Sequence, residues 1–100
     1  MLKVVYRPLA IAQLDSIANH TIEKWGSAQA KRYIADLRNG IEFAAEFPGI
    51  GSATHGLAED YRKVRSGSHC VIYRYTKTEL IVIRIIHERE DVPSDIEDFW

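Results

Sequence analysis

Two stretches of the chain carry apolar residues at helical spacing, one directly after the other. The first follows Pro8, a favoured first residue of a helix, and the second ends before the segment FPGIG. Between them, Gly26 is a typical helix-ending residue and Ser27 a good N-cap. The pattern predicts a helix over Pro8–Trp25 and a second helix after Ser27, folded back on the first as an αα-hairpin. The apolar positions are Leu14, Ile17, Ala18, Thr21, Ile22 and Trp25, then Ala30, Tyr33, Ile34, Leu37, Ile41, Ala44 and Ala45.

Runs of β-branched and aromatic residues lie on both sides of this hairpin. LKVVY precedes it, and three runs follow a loop over residues 48–60: Tyr61–Arg65, His69–Thr76 and Glu79–His87. The turns between the last three runs are so short that these strands must pair antiparallel. The order β-α-α-β-β-β predicts an α+β fold, with the helical hairpin packed on one face of a small twisted antiparallel sheet.

Two-residue turns at 67–68 and 77–78 would divide the strand residues between two faces, because opposite residues of a pair point to the same side. A slip of register would redistribute both sets. Each face is substantially apolar, but the hairpin can cover only one of them. We therefore expect the second face to be a concave surface that receives a partner, unless the long loop and the C-terminal tail cover it. The first set is Arg62, Val64, Val71, Tyr73, Tyr75, Leu80, Val82, Arg84 and Ile86; the second is Lys63, Arg65, Cys70, Ile72, Arg74, Ile81, Ile83, Ile85 and His87.

Charge changes this picture only near the end of the chain. Residues 61–90 carry seven basic and three acidic residues, net +4, whereas residues 91–100 carry four acidic residues and no basic one, net −4. The acidic tail would oppose a phosphate backbone, so direct nucleic-acid binding is not expected. Within the tail, Ser94 and Glu97 form a capping-box pattern that predicts a short helical turn.

Composition places the chain among ordinary globular domains, and we treat residues 1–100 as one domain. The single cysteine, Cys70, excludes an internal disulfide and gives no metal-site spacing; it is interpreted as a small core residue in a reducing cytoplasm. There is no cofactor motif, no signal-peptide pattern and no membrane-length apolar run. A cytoplasmic protein with no metal or cofactor is the expectation.

Three kinds of residue stand out against this background. Arg84 interrupts the most apolar strand, so we expect it to pair with a carboxylate such as Glu59 or Asp91 or with backbone carbonyls, or else to border a partner groove. His87 is interpreted as a structural strand-end histidine or as a proton-transfer group. Trp25 is expected to pack, and the terminal Phe99-Trp100 pair either anchors an interface or folds back onto the sheet.

The order of these elements and three segments resemble the ParE/RelE toxin superfamily of bacterial type II toxin–antitoxin modules, and its ParE branch in particular. The segments are YRPLAIAQLDSIANHTIEKWG at 6–26, EFPGIG at 46–51 and YRKVRSGSHCVIYRYTKTELIVIRIIHERED at 61–91. The resemblance covers roughly residues 3–92. RelE-like members are ribosome-dependent ribonucleases that cut messenger RNA, whereas ParE-like members poison DNA gyrase without known catalytic residues.

The resemblance implies a toxin that inhibits DNA gyrase and is neutralised by a ParD-like antitoxin, which folds on binding and often forms a heterotetramer with the toxin. The alternative is a ribonuclease in which His87 titrates while Arg65 and Arg74 neutralise the phosphate. The chain departs from the RelE pattern because lysine is sparse and the chain ends in carboxylates. For the gyrase-binding reading no catalytic residue is expected, and the partner-binding residues are Lys63, Arg65, Ile72, Arg74, Ile83, Arg84, His87 and Trp100.

Overall fold

The computed structural model describes residues 1–53 and 61–90, and these form two helices and a five-stranded sheet. The helices lie side by side and pack on one face of the sheet. The predicted α+β architecture is confirmed. The elements are β1 (Lys3–Tyr6), α1 (Pro8–Trp25), α2 (Ser27–Glu46), a 3₁₀ turn (Pro48–Ile50), β2 (Ser52–Ala53), β3 (Arg62–Ser66), β4 (His69–Tyr75) and β5 (Glu79–His87).

The αα-hairpin forms where the spacing predicts it. Pro8 is the first residue of α1, since its missing N–H would have no partner there and its fixed φ already suits a helix. Gly26 ends α1 at φ +91° and also serves as the N-cap of α2, so the prediction that Ser27 is the N-cap is wrong. Trp25 does not pack either, because 67% of its surface is exposed.

The sheet is mixed, whereas a purely antiparallel one was predicted. Its strand order is β1-β5-β4-β3-β2, and β1 pairs parallel with β5, Lys3 lying opposite Glu79. The helical hairpin supplies the long crossover that a parallel pair requires. The three C-terminal strands are antiparallel as expected, and β2 adds a two-residue strand within the segment that was predicted to be a loop.

A β-bulge in β5 decides which side chains reach the helices. The register follows the predicted turns as far as Tyr73, which lies opposite Val82. The residue of β4 that precedes Tyr73, Ile72, lies opposite Arg84, so Ile83 is an extra residue on the β5 side. Because side chains alternate along a strand, one inserted residue exchanges the two faces for everything beyond it.

The predicted faces are therefore wrong for the last four residues of β5. Ile85 packs in the core beneath the helices, and His87 lines a cleft with α1. Ile86 instead joins the apolar cluster on the second face, and Arg84 lies on that face opposite Ile72. The bulge thus moves the cation out of the helix-packed core and moves the histidine towards the helices.

The edge of β5 beyond the bulge is capped by a side chain from α1. The parallel ladder with β1 ends at Val82, whose carbonyl oxygen accepts the N–H of Arg7 at 3.0 Å. Further along, the N–H of Ile85 donates to Oε1 of Gln13 at 2.7 Å. This bond satisfies a backbone donor that would otherwise lose its partner at the end of β1.

The FPGIG segment forms a turn that is held from beneath by a core tyrosine. The buried Tyr73 hydroxyl donates to the carbonyl oxygen of Pro48 at 2.7 Å and accepts the N–H of Gly51 at 3.0 Å. A Cβ at position 51 would come within 2.5 Å of that hydroxyl oxygen, which explains the glycine. The burial also raises the pKa of the Tyr73 phenol.

Candidate functional site

The second face of the sheet has an isoleucine centre bordered by cations. Ile72, Ile81, Ile83 and Ile86 are at most 4% exposed, so they offer a partner almost no surface in this structure. This departs from the exposed concave surface expected from the sequence. Cys70 is partly buried against the same cluster, as a small apolar residue.

Most of the predicted partner-binding residues share this second face. Lys63 lies opposite Ile72 in the β3–β4 pair, Arg65 opposite Cys70 and Arg74 opposite Ile81, and Arg84 lies across from Ile72 on the β5 side. The guanidinium of Arg74 lies 5.8 Å from the ring centroid of Tyr61. Of the other two predicted residues, His87 is on the helix side, and Trp100 lies outside the described residues, as do Phe99 and the predicted turn at Ser94–Glu97.

The partners of Arg84 and Arg65 differ in kind. Nη1 of Arg84 donates to the carbonyl oxygen of Ile83 at 2.9 Å, which confirms the expected pairing with a backbone carbonyl. The alternative carboxylate partners, Glu59 and Asp91, lie outside the described residues. Arg65 forms an ion pair with Glu88, but 68% of its side chain is exposed, so solvent screening leaves that pair little net stabilising effect.

The outer side of the helical hairpin carries an apolar groove of about 410 Å³. Its floor is formed by small and branched residues of both helices, among them Ile22 and Ile34, and Ile22 is 46% exposed. Lys31 and Arg38 stand along it as cations. An apolar groove with basic borders matches the apolar face of an amphipathic helix whose flanks are acidic.

A second cleft, polar and about 320 Å³, lies on the helix side of the sheet, between α1 and the ends of β4 and β5. Its walls bring together His20 of α1, His69 of β4 and His87 of β5, and an adjoining hollow adds Lys24 and Tyr33. The rings of His69 and His87 make an edge-to-face contact with 5.5 Å between centroids, and the ring of Tyr33 contacts His69 in the same way. We call this the histidine cleft.

The hydrogen bonds around His69 fix its tautomer. The hydroxyl of Tyr33 accepts the N–H of Ser68 at 2.9 Å, so its own single proton is free to be donated. Nδ1 of His69, at 2.6 Å, is a much better acceptor for it than the carbonyl oxygen of Ser66, at 3.5 Å. In neutral His69, therefore, Nδ1 accepts and Nε2 carries the hydrogen.

His87 has the same tautomer for a different reason. Its Nδ1 accepts the backbone N–H of Arg89 at 3.1 Å, in the turn that follows β5. The backbone N–H of His87 donates to Oε1 of Glu90 at 3.0 Å, and this bond holds the turn closed. Neutral His87 therefore also carries its hydrogen on Nε2 and has no free nitrogen lone pair.

The environment favours the neutral form of His69. Burial lowers its pKa below the ordinary value of 6.5, and a charged His87 close by would lower it further. Glu90 and Glu88 act in the opposite direction, and His20 adds a smaller lowering effect. At pH 7.5 His69 is therefore an uncharged hydrogen-bond donor to the cleft.

Sequence reasoning found His87 but missed its neighbours. His69 was interpreted as a strand residue and Tyr33 as an apolar helix position, because neither belongs to a motif and 36 residues separate them. Only the docking of α2 on the β3–β4 turn brings the two together. Within residues 1–53 and 61–90, no three His, Cys, Asp or Glu side chains are grouped so that they could hold a metal ion.

Comparison with known proteins then decides the family. Residues 4–92 match the family described as the ParE toxin of the type II toxin–antitoxin system parDE. The chain belongs to the ParE toxin family. Toxin ParE1 of Mycobacterium tuberculosis (strain H37Rv) is 39% identical over 90 residues, which cover 89% of this chain and 92% of that protein. The resemblance to the ParE branch is thereby confirmed.

Other members of the ParE family give the same result. Toxin ParE1 of Caulobacter vibrioides is 39% identical over 79 residues (79% of this chain, 81% of that protein), and Toxin ParE of Escherichia coli is 34% identical over 90 residues (89% and 87%). A solved structure of the chromosomal ParDE system of P. aeruginosa matches with a TM-score of 0.74 at 18% identity, over 87% of this chain and 96% of that one. At that identity the structural match shows the fold.

Proposed function

We propose that this ParE-family toxin acts by binding DNA gyrase, and that a ParD-like antitoxin neutralises it. The observation that carries the gyrase-poison reading is the placement of the three residues that a ribonuclease would need. Arg74 lies on the second face of the sheet and His87 on the helix face, so the sheet separates these two residues, and Arg65 is held in an ion pair with Glu88. Neutral His87, moreover, has its Nδ1 occupied and a hydrogen on Nε2, so it lacks the lone pair of a general base.

The activity is tested with two assays run on the same preparations. Purified toxin is added to DNA gyrase, where supercoiling and trapped cleavage complexes are measured, and to an in vitro translation reaction, where messenger cleavage is measured. We expect inhibition of gyrase only, and we expect His87→Ala to retain it within a few-fold. Messenger cleavage that falls by roughly 10² or more in His87→Ala, with the fold intact, would instead assign a ribonuclease.

We assign the groove of the helical hairpin to the antitoxin. An antitoxin segment that is disordered when free would fold as an amphipathic helix over the exposed Ile22, with its carboxylates facing Lys31 and Arg38. The exposed Arg65 and the half-buried Lys63 at the rim of the second face can take a further acidic part of the same chain. Ile72 and Ile83 offer this partner almost no surface in this structure, since they are 0% and 1% exposed.

The groove offers a matched pair of variants on one helix. Ile22 lines the groove and is 46% exposed, whereas Ile11 is 49% exposed and does not line it. Ile22→Asp should weaken binding of the antitoxin encoded beside the toxin gene by roughly tenfold or more, measured by calorimetry, while Ile11→Asp should leave it nearly unchanged. Equal effects of the two variants would remove the groove from the interface.

The assembly and the location follow from these partners. The mass of the purified complex, measured by light scattering, should correspond to a heterotetramer of two toxins and two antitoxins, and a gyrase target places the toxin in the cytoplasm. Among the described residues, no helix has the length and apolar character needed to cross a membrane.

A further inference from the structure

The histidine cleft contains more hydrogen-bond donors than acceptors, and the protein itself creates that imbalance. Tyr33 occupies Nδ1 of His69, and the N–H of Arg89 occupies Nδ1 of His87. Each neutral ring therefore brings an Nε2–H donor to the lining of the cleft, and neither brings an acceptor nitrogen. The two ring centroids are 5.5 Å apart, and both rings line the same cleft.

Two neighbouring side chains increase the imbalance. Oε1 of Gln13 is taken by the N–H of Ile85 at 2.7 Å, so the side chain has only its amide N–H groups left to offer. Ser16 adds a hydroxyl to the same wall. Thr21 and Glu90 are exceptions. The Thr21 hydroxyl donates to the carbonyl oxygen of Ile17 at 2.7 Å and so offers the cleft only an acceptor, and one carboxylate oxygen of Glu90 already accepts the backbone N–H of His87.

The charges around the two imidazoles balance when both rings are neutral. The positive charge of Lys24 in α1 offsets the negative charge of Glu90, and the nearby Glu88 is paired with Arg65. Uptake of one proton by His69 would therefore give the cleft a net positive charge. The groups that surround the two rings are His20 and Lys24 from α1, Tyr33 from α2, Arg65 from β3, and Glu88 and Glu90 from the turn after β5.

We propose that the histidine cleft is an oxyanion-binding site in which Nε2–H of His69 and Nε2–H of His87 donate to two oxygens of one anion. A carboxylate or a tetrahedral group such as a phosphoryl or sulfate meets this requirement, since both are acceptors only and both gain from donors that are already oriented. The site is separate from the hairpin groove and from the second face. It therefore gives the toxin a third contact for an acidic group, in addition to those two surfaces.

The first test observes the two rings directly. The full-length toxin, labelled with ¹⁵N-histidine, is titrated by NMR with sodium sulfate and separately with sodium acetate, at pH 7.5 and at ionic strength held constant with chloride. We expect both rings to show hydrogen on Nε2 before addition, and both to shift along one saturable curve with a Kd on the order of millimolar. Tighter binding of sulfate would indicate a phosphoryl-type ligand, and tighter binding of acetate a carboxylate.

Two substitutions of the same residue separate the donor from the rest of the side chain. In His87→Asn the amide oxygen replaces Nδ1 and can still accept the N–H of Arg89, but nothing replaces the Nε2 donor. In His87→Gln the amide nitrogen reaches the Nε2 position but cannot gain a proton. Asn should abolish saturable binding, and Gln should retain it. Lys77→Gln, a charge removal in the β4–β5 turn at the other end of these strands, serves as the control and should have no effect.

The pH dependence gives an independent reading. Between pH 7.5 and pH 6 both sulfate and acetate keep their charge, so any change in affinity comes from the protein. Binding should tighten as the pH falls, by at most about tenfold per pH unit if one proton is taken up.

Three results would overturn the proposal. They are a hydrogen on Nδ1 of either ring, shifts that do not saturate and are equal for chloride, and equal binding by the Asn and Gln variants. None of these measurements involves gyrase or the antitoxin, so the proposal can fail while the proposed function stands.

Discussion

Replacing Tyr33 with phenylalanine should loosen the β3–β4 turn and release the tautomer of His69 at the same time. The hydroxyl makes two good bonds, from Ser68 N–H at 2.9 Å and to His69 Nδ1 at 2.6 Å, and the substitution removes only that oxygen. A typical bond of this kind contributes about 1 kcal/mol. Solvent can reach Ser68, so water recovers part of the loss, and we expect the free energy of unfolding to fall by about 1–2 kcal/mol.

Thermal unfolding followed by circular dichroism measures this change. For a domain of this size 1 kcal/mol lowers Tm by about 4–8 °C, so the expected fall is readily detected. Tyr75→Phe is the matched control, because Tyr75 is exposed at the other end of β4 and should change stability by less than about 0.5 kcal/mol. If Tyr33→Phe unfolds like the control and His69 keeps its hydrogen on Nε2, the hydroxyl does not hold the turn and the tautomer assignment fails.

Three further outcomes follow from the same contacts. Because the folded-state pKa of His69 is depressed, the unfolded chain binds the proton more readily. The stability that this histidine contributes should therefore be fully present above pH 6.5 and fall below it. The difference between the curves of unfolding free energy against pH for wild type and His69→Asn isolates this contribution. Gly67→Ala should destabilise by more than about 1 kcal/mol in urea unfolding, because φ is +59° and a Cβ would lie 2.7 Å from the ring of Tyr33. Gln13→Leu should cost about 1–2 kcal/mol and speed hydrogen exchange at the amide of Ile85, which an unchanged exchange rate would contradict.

Local sequence was enough to predict the helices and the hairpin registers. Apolar spacing and Gly26 place both helices, and the two short turns fix the pairing of Val64 with Val71 and of Tyr75 with Leu80. These features depend on residues that are close in the chain. The parallel pairing of β1 could not be read in this way, because it depends on the hairpin packing across the sheet rather than on any turn.

The bulge was not predictable from the residues around it. The segment IVIRIIH contains no glycine and no proline, and its alternation is equally compatible with a regular strand. What favours the bulge is tertiary: Arg84 sits on the second face bonded to the carbonyl of Ile83, and Ile85 fills the core under α1 while Gln13 accepts its N–H. The core around Ile85 and the Gln13 side chain that accepts its N–H are both present only when α1 is packed on the sheet.

The same bulge separates the two chemistries that the sequence had placed side by side. Without it, His87 would share a face with Arg65 and Arg74, the constellation that a phosphodiester-cleaving site needs. With it, the histidine lies among His20, His69 and Tyr33, while Arg74 stays on the opposite side of the sheet. A cation and a proton-transfer group act on one phosphate only if both reach it, so this arrangement favours a toxin that works through its surfaces. Restoring both to one face would require straightening the bulge without removing a residue, a change of register that would also turn Arg84 towards the core beneath the helices.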